Sequence, residues 1–224
     1  MLFLSGGTTL KGFGKAAGVP AATWASGGSL NTARSSLAGS TRGSQTSSIA
    51  FGGYSGTAWL AVNENYNGTS WTELADLNTA RGLNTGAGTA TAALTQGGYT
   101  GTARVANTES WNGSAWTETG DLPAAVNGNA GAGVSNTSAL SFGGSLPAKT
   151  GATYDWNGSS WTAGGTIATA RYYLSGVGTT TAALAINGFR TSPASAILKF
   201  VEEYNDRDWE TIPCGSYSST CCPR

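Results

Sequence analysis

Few residues of this chain have side chains that could do chemistry. It contains no histidine, and therefore lacks the usual general base, triad partner and transition-metal ligand. Its acidic residues mostly recur at equivalent positions, such as Glu64, Glu109 and Glu202, each two residues before an aromatic residue. Repetition of this kind indicates strand faces or contacts between repeats rather than a unique acid/base pair. The sequence therefore predicts that the protein is not an enzyme and has neither a metal site nor another cofactor.

Three arginines occupy one repeated position. Arg34, Arg81 and Arg171 each end an Asn-Thr-Ala-Arg or Ala-Thr-Ala-Arg motif, and Val126 takes this position in a further copy. Arginine makes bidentate contacts with carboxylates, so a face that carries all three is a candidate binding site for a partner. In the alternative interpretation, which we favour, each arginine bonds backbone carbonyls or an acid in the neighbouring repeat.

Two tyrosines are further binding candidates. Tyr54 and Tyr99 each follow a glycine pair, where a loop is expected, and their rings could stack on sugars. Packing between repeats is the alternative that we favour for both residues. Four other aromatic residues are expected in the core between repeats: Tyr66, Trp111, Trp156 and Tyr204.

The chain also contains sites for covalent modification. Four asparagines begin Asn-X-Ser/Thr sequons, namely Asn67, Asn112, Asn136 and Asn157. They would be glycosylated only in a host that exports and modifies the chain, and turn chemistry alone explains the three that precede glycine. The cysteines are confined to Cys214, Cys221 and Cys222. One pair could pin the end of the chain, and a reduced cluster is equally compatible with the sequence.

The elements that position these residues are sequence repeats. Trp71, Trp116 and Trp161 follow one another at intervals of 45 residues, and Trp24 and Trp209 extend the series at intervals of 47 and 48. A glycine pair follows an apolar run in four copies, as in Ser-Ile-Ala-Phe-Gly-Gly, and a degenerate fifth copy ends in Asn-Gly-Phe. Nearly the whole chain is therefore repetitive.

Each repeat contains four short segments separated by turn residues. None has the 3.6-residue apolar period of a helix, whereas Thr, Val and aromatic residues favour strands. Asn-Gly between two aromatic-bearing segments, as at Asn112 and Gly113, predicts a type I′ hairpin turn with positive φ at both residues. Four strands in a repeat of this length indicate a blade of a β-propeller.

The order of these markers resembles the kelch repeat. An arginine, a strand that ends in Gly-Gly, a Glu-x-Tyr segment and a later tryptophan follow one another, and the last part is clearest at residues 201–209. The similarity covers roughly residues 1–212. The Thr/Ala/Gly-rich style is also loosely similar to repeats in tail and surface proteins of environmental phages. The first resemblance implies a kelch-like propeller in which the face with the arginines binds partner peptides.

The count of markers predicts five blades. Five Trp-led strands and five Gly-Gly-type strands occur, but only four inner-strand motifs, because the chain begins at a second strand. We therefore expect one all-β domain, residues 1–224, closed into a ring when the C-terminal segment pairs with the N-terminal blade. Its expected blades are residues 31–77, 78–122, 123–167 and 168–212, with a fifth made from 1–30 and a closing strand from 211–224.

The amino-acid composition limits the classes of partner that the protein is expected to bind. Charged residues make up only 11% of the chain, and Lys+Arg balance Asp+Glu at 12 each, which favours neither nucleic acid nor an anionic membrane. The opening apolar run, residues 1–4, is too short for a signal peptide or for membrane insertion. We predict a structural or interaction module on a virion or extracellular surface, whose partner is a protein surface, a glycan surface or another copy. The alternative is a lectin with repeated pockets between blades.

Overall fold

The structure is a computed structural model, and it describes residues 26–190, 196–198, 201–205 and, by their backbone, 208–211. Strands are the regular elements in these ranges, which contain no helix, so the all-β prediction is confirmed. The same ranges accordingly hold no helix that could cross a membrane. Several predicted features lie outside them: residues 2–7, Trp24, the side chain of Trp209, the three cysteines and the closing segment after Thr211.

Most of the described strands form four four-stranded antiparallel sheets, I to IV, each with its strands in sequential order. Sheet I contains β1 (Ala38–Gly39), β2 (Ser48–Phe51), β3 (Asn63–Tyr66) and β4 (Trp71–Glu73). Sheet II contains β5 (Thr85–Gly88), β6 (Ala93–Gln96), β7 (Thr108–Trp111) and β8 (Trp116–Thr119). Sheet III contains β9 (Ala130–Ser135), β10 (Ser138–Phe142), β11 (Thr153–Trp156) and β12 (Trp161–Ala163). Sheet IV contains β13 (Ser175–Gly178), β14 (Ala182–Ile186), β17 (Val201–Asn205) and β18 (Asp208–Thr211), with a small separate pair, β15 (Phe189–Arg190) and β16 (Ala196–Ile197).

The first strands of the sheets, which we call the inner strands, lie side by side. A Cβ on Gly86 would lie 2.3 Å from the carbonyl oxygen of Gly39 in the preceding sheet. One on Gly131 would lie 2.8 Å from the oxygen of Gly86, and one on Gly176 2.4 Å from that of Gly131. Backbone contacts this close exclude larger residues, so these glycines set the distance between sheets.

The glycine pair after each second strand connects neighbouring sheets. Gly52 and Gly53 have φ of +66° and +116°, a region that side chains resist. The N–H of Gly53 donates to the carbonyl of Arg81 in sheet II at 2.9 Å, and a Cβ on Gly52 would lie 2.5 Å from that oxygen. The same bond recurs twice along the chain: Gly98 to Val126 and Gly144 to Arg171.

The hairpin between the third and fourth strands differs from the predicted turn. In sheet II a four-residue loop joins the paired residues Trp111 and Trp116, and within it only Gly113 has positive φ, +97°. Asn112 instead accepts hydrogen bonds at Oδ1 from the N–H groups of Ser114 and Ala115, both at 2.9 Å. The type I′ prediction is therefore wrong, because the side chain of the asparagine makes the turn and its backbone stays in the usual region.

Large aromatic residues fill the spaces between sheets. Trp116 of sheet II packs edge-on against Phe51 of sheet I, with ring centroids 4.8 Å apart. Trp161 of sheet III packs in the cluster that contains Leu94 of sheet II. Both tryptophans are buried, whereas Trp71, at the same position of sheet I, is only half-buried. Among the hairpin aromatics Tyr66 is half-buried, and the buried ones are Trp111, Trp156 and Tyr204.

The loop between β1 and β2 reaches the inner strands of the other sheets. The backbone N–H of Arg42 donates to the carbonyl of Gly88 at 2.7 Å, and its guanidinium donates to that of Gly178 at 3.2 Å. The hydroxyl of Thr41 donates to the carbonyl of Gly133 at 3.4 Å. One loop of sheet I thus contacts sheets II, III and IV, so the four inner strands converge at this end.

Candidate binding face

Two loops of each sheet lie at the same end of the molecule. The loop after the second strand pairs with the segment before the inner strand, because both emerge at one end of an antiparallel meander. The pairs are Ser35 with Tyr54, Gly82 with Tyr99, Asn127 with Ser145 and Tyr172 with Phe189. We call the surface formed by these loops the loop face. It includes both candidate tyrosines of the sequence analysis.

The three recurring arginines do not contribute to this surface. Their side chains are fully buried, and each forms an ion pair with a glutamate in the third strand of its own sheet: Arg34 with Glu64, Arg81 with Glu109 and Arg171 with Glu202. No guanidinium surface is left for a partner in this arrangement, which corrects the hypothesis of an arginine-bearing binding face. The internal role that we favoured fits the geometry, except that the acid belongs to the same sheet.

Each glutamate also accepts backbone hydrogen bonds from the segment before the arginine. Glu109 accepts from the N–H of Asn78 at 2.7 Å and of Thr79 at 3.3 Å. Equivalent bonds run from Asn31 to Glu64 and from Ala168 to Glu202. A carboxylate removed from water needs such donors as well as its cation. The Arg–Glu pair therefore holds the segment that leads into the inner strand.

Sheet III carries three linked replacements at this place. Val126 stands at the arginine position, Tyr154 at the glutamate position and Pro123 at the position of Asn78. Proline has no N–H, so the donor disappears together with the carboxylate that would accept from it. Val126 is buried, and Tyr154 packs against the same apolar cluster. The joint loss of all three partners indicates that they act as one structural unit.

The surroundings of Glu64 and Arg81 shift the pKa values of these two groups. Burial would raise the pKa of the Glu64 carboxyl, but hydrogen bonds from Arg34 and from the N–H groups of Asn31 and Thr32 outweigh it. The pKa of Glu64 therefore lies below its ordinary value. Burial lowers the pKa of the Arg81 guanidinium, and the nearby carboxylates oppose this effect.

We expect the stability difference between the parent protein and a Glu64→Gln variant to narrow as the pH falls from 7 to 3. The folded-state pKa of Glu64 is lowered, so its stabilisation is complete above the unfolded-state pKa and is lost as the pH falls through the folded-state value. Denaturant unfolding followed by tryptophan fluorescence measures both proteins. Glu73→Gln, which removes an exposed carboxylate of the same sheet, is the control. A difference that stays constant over this range would contradict the prediction.

An aromatic cluster lies on the loop face where sheets I and II meet. Trp59 packs against Tyr54 with ring centroids 4.8 Å apart, and against Tyr99, edge-on, at 5.4 Å. The two tyrosine hydroxyls donate to the carbonyls of Gly56 and Gly101, both at 2.9 Å. All three rings are half-buried. Tyr54 and Tyr99 are thus brought together by Trp59, which the sequence analysis did not identify, and the cluster leaves ring surface exposed.

A second aromatic group lies on the loop face where sheets III and IV meet. The Tyr172 ring has its centroid 4.3 Å from that of Tyr173 and 5.5 Å from that of Phe189. The ammonium of Lys149 lies 4.0 Å from the Tyr172 centroid and donates to the Ser145 hydroxyl at 3.4 Å. Sequence reasoning missed this group, although its residues depart from those at the same positions of the other repeats.

Three of the four sequon asparagines lie away from the loop face, and the fourth makes hydrogen bonds to a neighbouring sheet. The hairpin asparagines are exposed at the opposite end of the sheets: Asn67, Asn112 and Asn157. Asn136 instead donates through Nδ2 to the Ser110 hydroxyl at 3.1 Å and to the Trp111 carbonyl at 3.0 Å. Glycosylation of Asn136 would replace one of the two amide hydrogens that make these bonds, so the hairpin sites are the more accessible ones.

The chain was compared with known proteins. Neither a protein-family model nor a curated protein matches it. The resemblance to kelch and phage repeats stays a prediction that rests on the sequence motifs. Within the part of the chain that the structure describes, no group of three His, Cys, Asp or Glu residues could hold a metal ion.

Proposed function

We propose that the chain is a non-catalytic, kelch-like β-propeller that acts as a structural or interaction module on a virion or extracellular surface. One observation carries this proposal: partly exposed aromatic rings gather on the loop face, whereas the recurring arginines and glutamates are used internally. Aromatic residues supply large contact area with little loss of conformational entropy on binding. The partner is a protein or glycan surface, or another copy of the chain.

We also propose that five blades complete the ring. Val177 in sheet IV is 48% exposed, whereas Ala87 and Ala132, at the same position in sheets II and III, are 0% exposed between sheets. Leu184 beside it is half-buried. A fifth blade from residues 1–30, with a closing strand from 211–224, would cover this face. Val177→Asp should then destabilise the protein by several kcal/mol, and a change below about 0.5 kcal/mol would show that this face stays in water.

A lectin is the second candidate function. It is favoured by the chemistry of the loop face, where tyrosine and tryptophan rings are bordered by hydroxyl and amide groups and by few charges. Neutral hydrogen-bonding groups and flat rings together suit the hydroxyls and the apolar face of a sugar. Such a lectin would use the loop face, where the sheets meet.

A glycan array and a solution measurement of self-association separate the candidates. The purified chain is applied to the array, and its oligomeric state is followed by analytical ultracentrifugation over a wide concentration range. A Trp59→Ala variant should lose self-association or the binding of uncharged glycans, whichever the parent shows, while its melting temperature changes little, because the ring is only half-buried. Binding that is unchanged in this variant would exclude the cluster of sheets I and II as the contact surface.

A further inference from the structure

Tyr173 occupies a backbone position with positive φ that recurs in each sheet, and only sheet IV has a tyrosine there. Ser36, Leu83 and Gly128 stand at the same position in sheets I to III, and all four residues have positive φ, between +53° and +61°. Glycine adopts this conformation freely, whereas a bulky side chain is strained there. Tyr173 is 57% exposed. Sheets I to III have serine, leucine and glycine at this position, so the fold does not require a tyrosine there.

The Tyr173 ring forms a supported, open platform. One part of it lies on the backbone of the preceding sheet, where a Cβ on Gly128 would be 2.9 Å from two ring carbons. Its backbone N–H donates to the Gly128 carbonyl at 2.8 Å, and Tyr172 packs beside the ring. These contacts fix the orientation of the ring and leave the remaining surface in water. A flat ligand surface can therefore stack on it.

A positive charge lies next to this platform. The ammonium of Lys149 is held against the Tyr172 ring, and among the described residues no carboxylate forms an ion pair with it. Sheet II has the acids Glu118 and Asp121 after its last Trp-Thr, but sheet III has Ala163 and Thr166 at these positions. Sheet III therefore has no acid at these two positions.

We propose that Tyr173 and Lys149 form a binding site for an acidic sugar, a pyranose that carries a carboxylate or sulfate group. The apolar face of the pyranose stacks on the Tyr173 ring, and the acidic group accepts hydrogen bonds from the Lys149 ammonium. Both side chains contact the Tyr172 ring, with the Lys149 ammonium 4.0 Å and the Tyr173 centroid 4.3 Å from its centroid, so they lie at most about 8 Å apart. Among the residues that the structure describes this pair of side chains occurs once, and the site deepens the proposed function by naming a ligand class for one part of the loop face.

The probes are trigalacturonic acid and its methyl ester, which share the sugar rings and differ in charge. Titration of the full chain, followed by ligand-observed NMR, should show about fivefold tighter binding of the acid, the scale of an exposed ion pair. Lys149→Gln should bind acid and ester equally. Tyr173→Gly, which installs the residue that sheet III has at this position, should bind neither. Leu83→Gly, at the equivalent position of sheet II, should behave like the parent.

Each other outcome counts against the site. Retention of the acid preference by Lys149→Gln, or of parental affinity by Tyr173→Gly, would remove these residues from any ligand contact. Binding of neither probe by the folded parent would overturn the acidic-sugar assignment. The proposed interaction module would then still be tested separately by the array and the self-association measurement. A melting curve of each variant shows that the protein is folded.

Discussion

Arg81→Val is expected to reduce the free energy of unfolding by about 3–5 kcal/mol, the cost of breaking a buried ion pair by removing one partner. Glu109 is fully buried, and its carboxylate lies 3.0 Å from the Arg81 guanidinium. Without that cation it keeps only the backbone donors of the preceding segment and the side chain of Asn78. Denaturant unfolding at neutral pH measures the loss. Arg104→Val, at an exposed arginine of the same sheet, should change stability by less than about 0.5 kcal/mol.

The triple variant Asn78→Pro, Arg81→Val and Glu109→Tyr should recover most of the stability that the single change removes. It installs in sheet II the set that sheet III carries as Pro123, Val126 and Tyr154. The cation, the carboxylate and the donors of Asn78 are then replaced together, which is far less costly than removing the cation alone. A triple variant that is no more stable than Arg81→Val would show that the three positions are independent.

Trp116→Ala is expected to cost about 3–5 kcal/mol, the usual range for truncating a buried tryptophan. Its side chain is only 5% exposed and packs edge-on against Phe51 of the neighbouring sheet. The variant therefore opens a cavity between sheets I and II that backbone movement cannot fill, because the glycines of the inner strands already fix the spacing.

Trp59→Ala is the matched control, since Trp59 lies on the loop face and is half-buried. It should lower the melting temperature much less than Trp116→Ala does. Equal effects of the two substitutions would mean that the packing of Trp116 between sheets I and II contributes no more stability than the packing of a surface cluster. A melt of Trp116→Ala that matches the parent within error would place that ring on the surface.

The all-β class and the four-stranded sheets could be predicted because the repeated turn residues and tryptophans mark them directly. The turn type could not be predicted from Asn-Gly alone, since asparagine can make a turn either through positive φ or through its side chain. Asn112 uses its side chain. The loop between Trp111 and Trp116 has four residues, two more than a type I′ hairpin, and this length allows the asparagine side chain to make the turn. The Asn-Gly pair is the same in both kinds of turn.

The arginine ion pairs could have been predicted more fully from the sequence. Arg34, Arg81 and Arg171 occur in the repeats that have a glutamate before the hairpin aromatic, and Val126 occurs in the repeat that has Tyr154 there. Because the arginine and the glutamate vary together, they are expected to contact each other. The arginine position considered alone instead suggests a binding surface. The burial of the pair depends on how the sheets pack, which repetition by itself does not encode.

The second aromatic group escaped the sequence analysis for the opposite reason. Lys149, Tyr172 and Tyr173 stand where the repeats differ, so no recurring motif marks them. In a repetitive fold the shared positions maintain the architecture, so a residue found in one repeat only is free to serve a ligand. Positions that differ between repeats are therefore better candidates for binding residues than positions that recur.

The loop that carries Thr41 and Arg42 changes how this chain should fold and evolve. In a linear solenoid each repeat touches only its neighbours, so a terminal repeat can be removed without affecting distant ones. Here Arg42 of the first sheet donates to Gly178 of the fourth, 136 residues along the chain. Unfolding should therefore be a single concerted transition rather than fraying from one end. Gain or loss of a whole repeat would break this contact, so the number of repeats is constrained in a way that solenoid arrays are not.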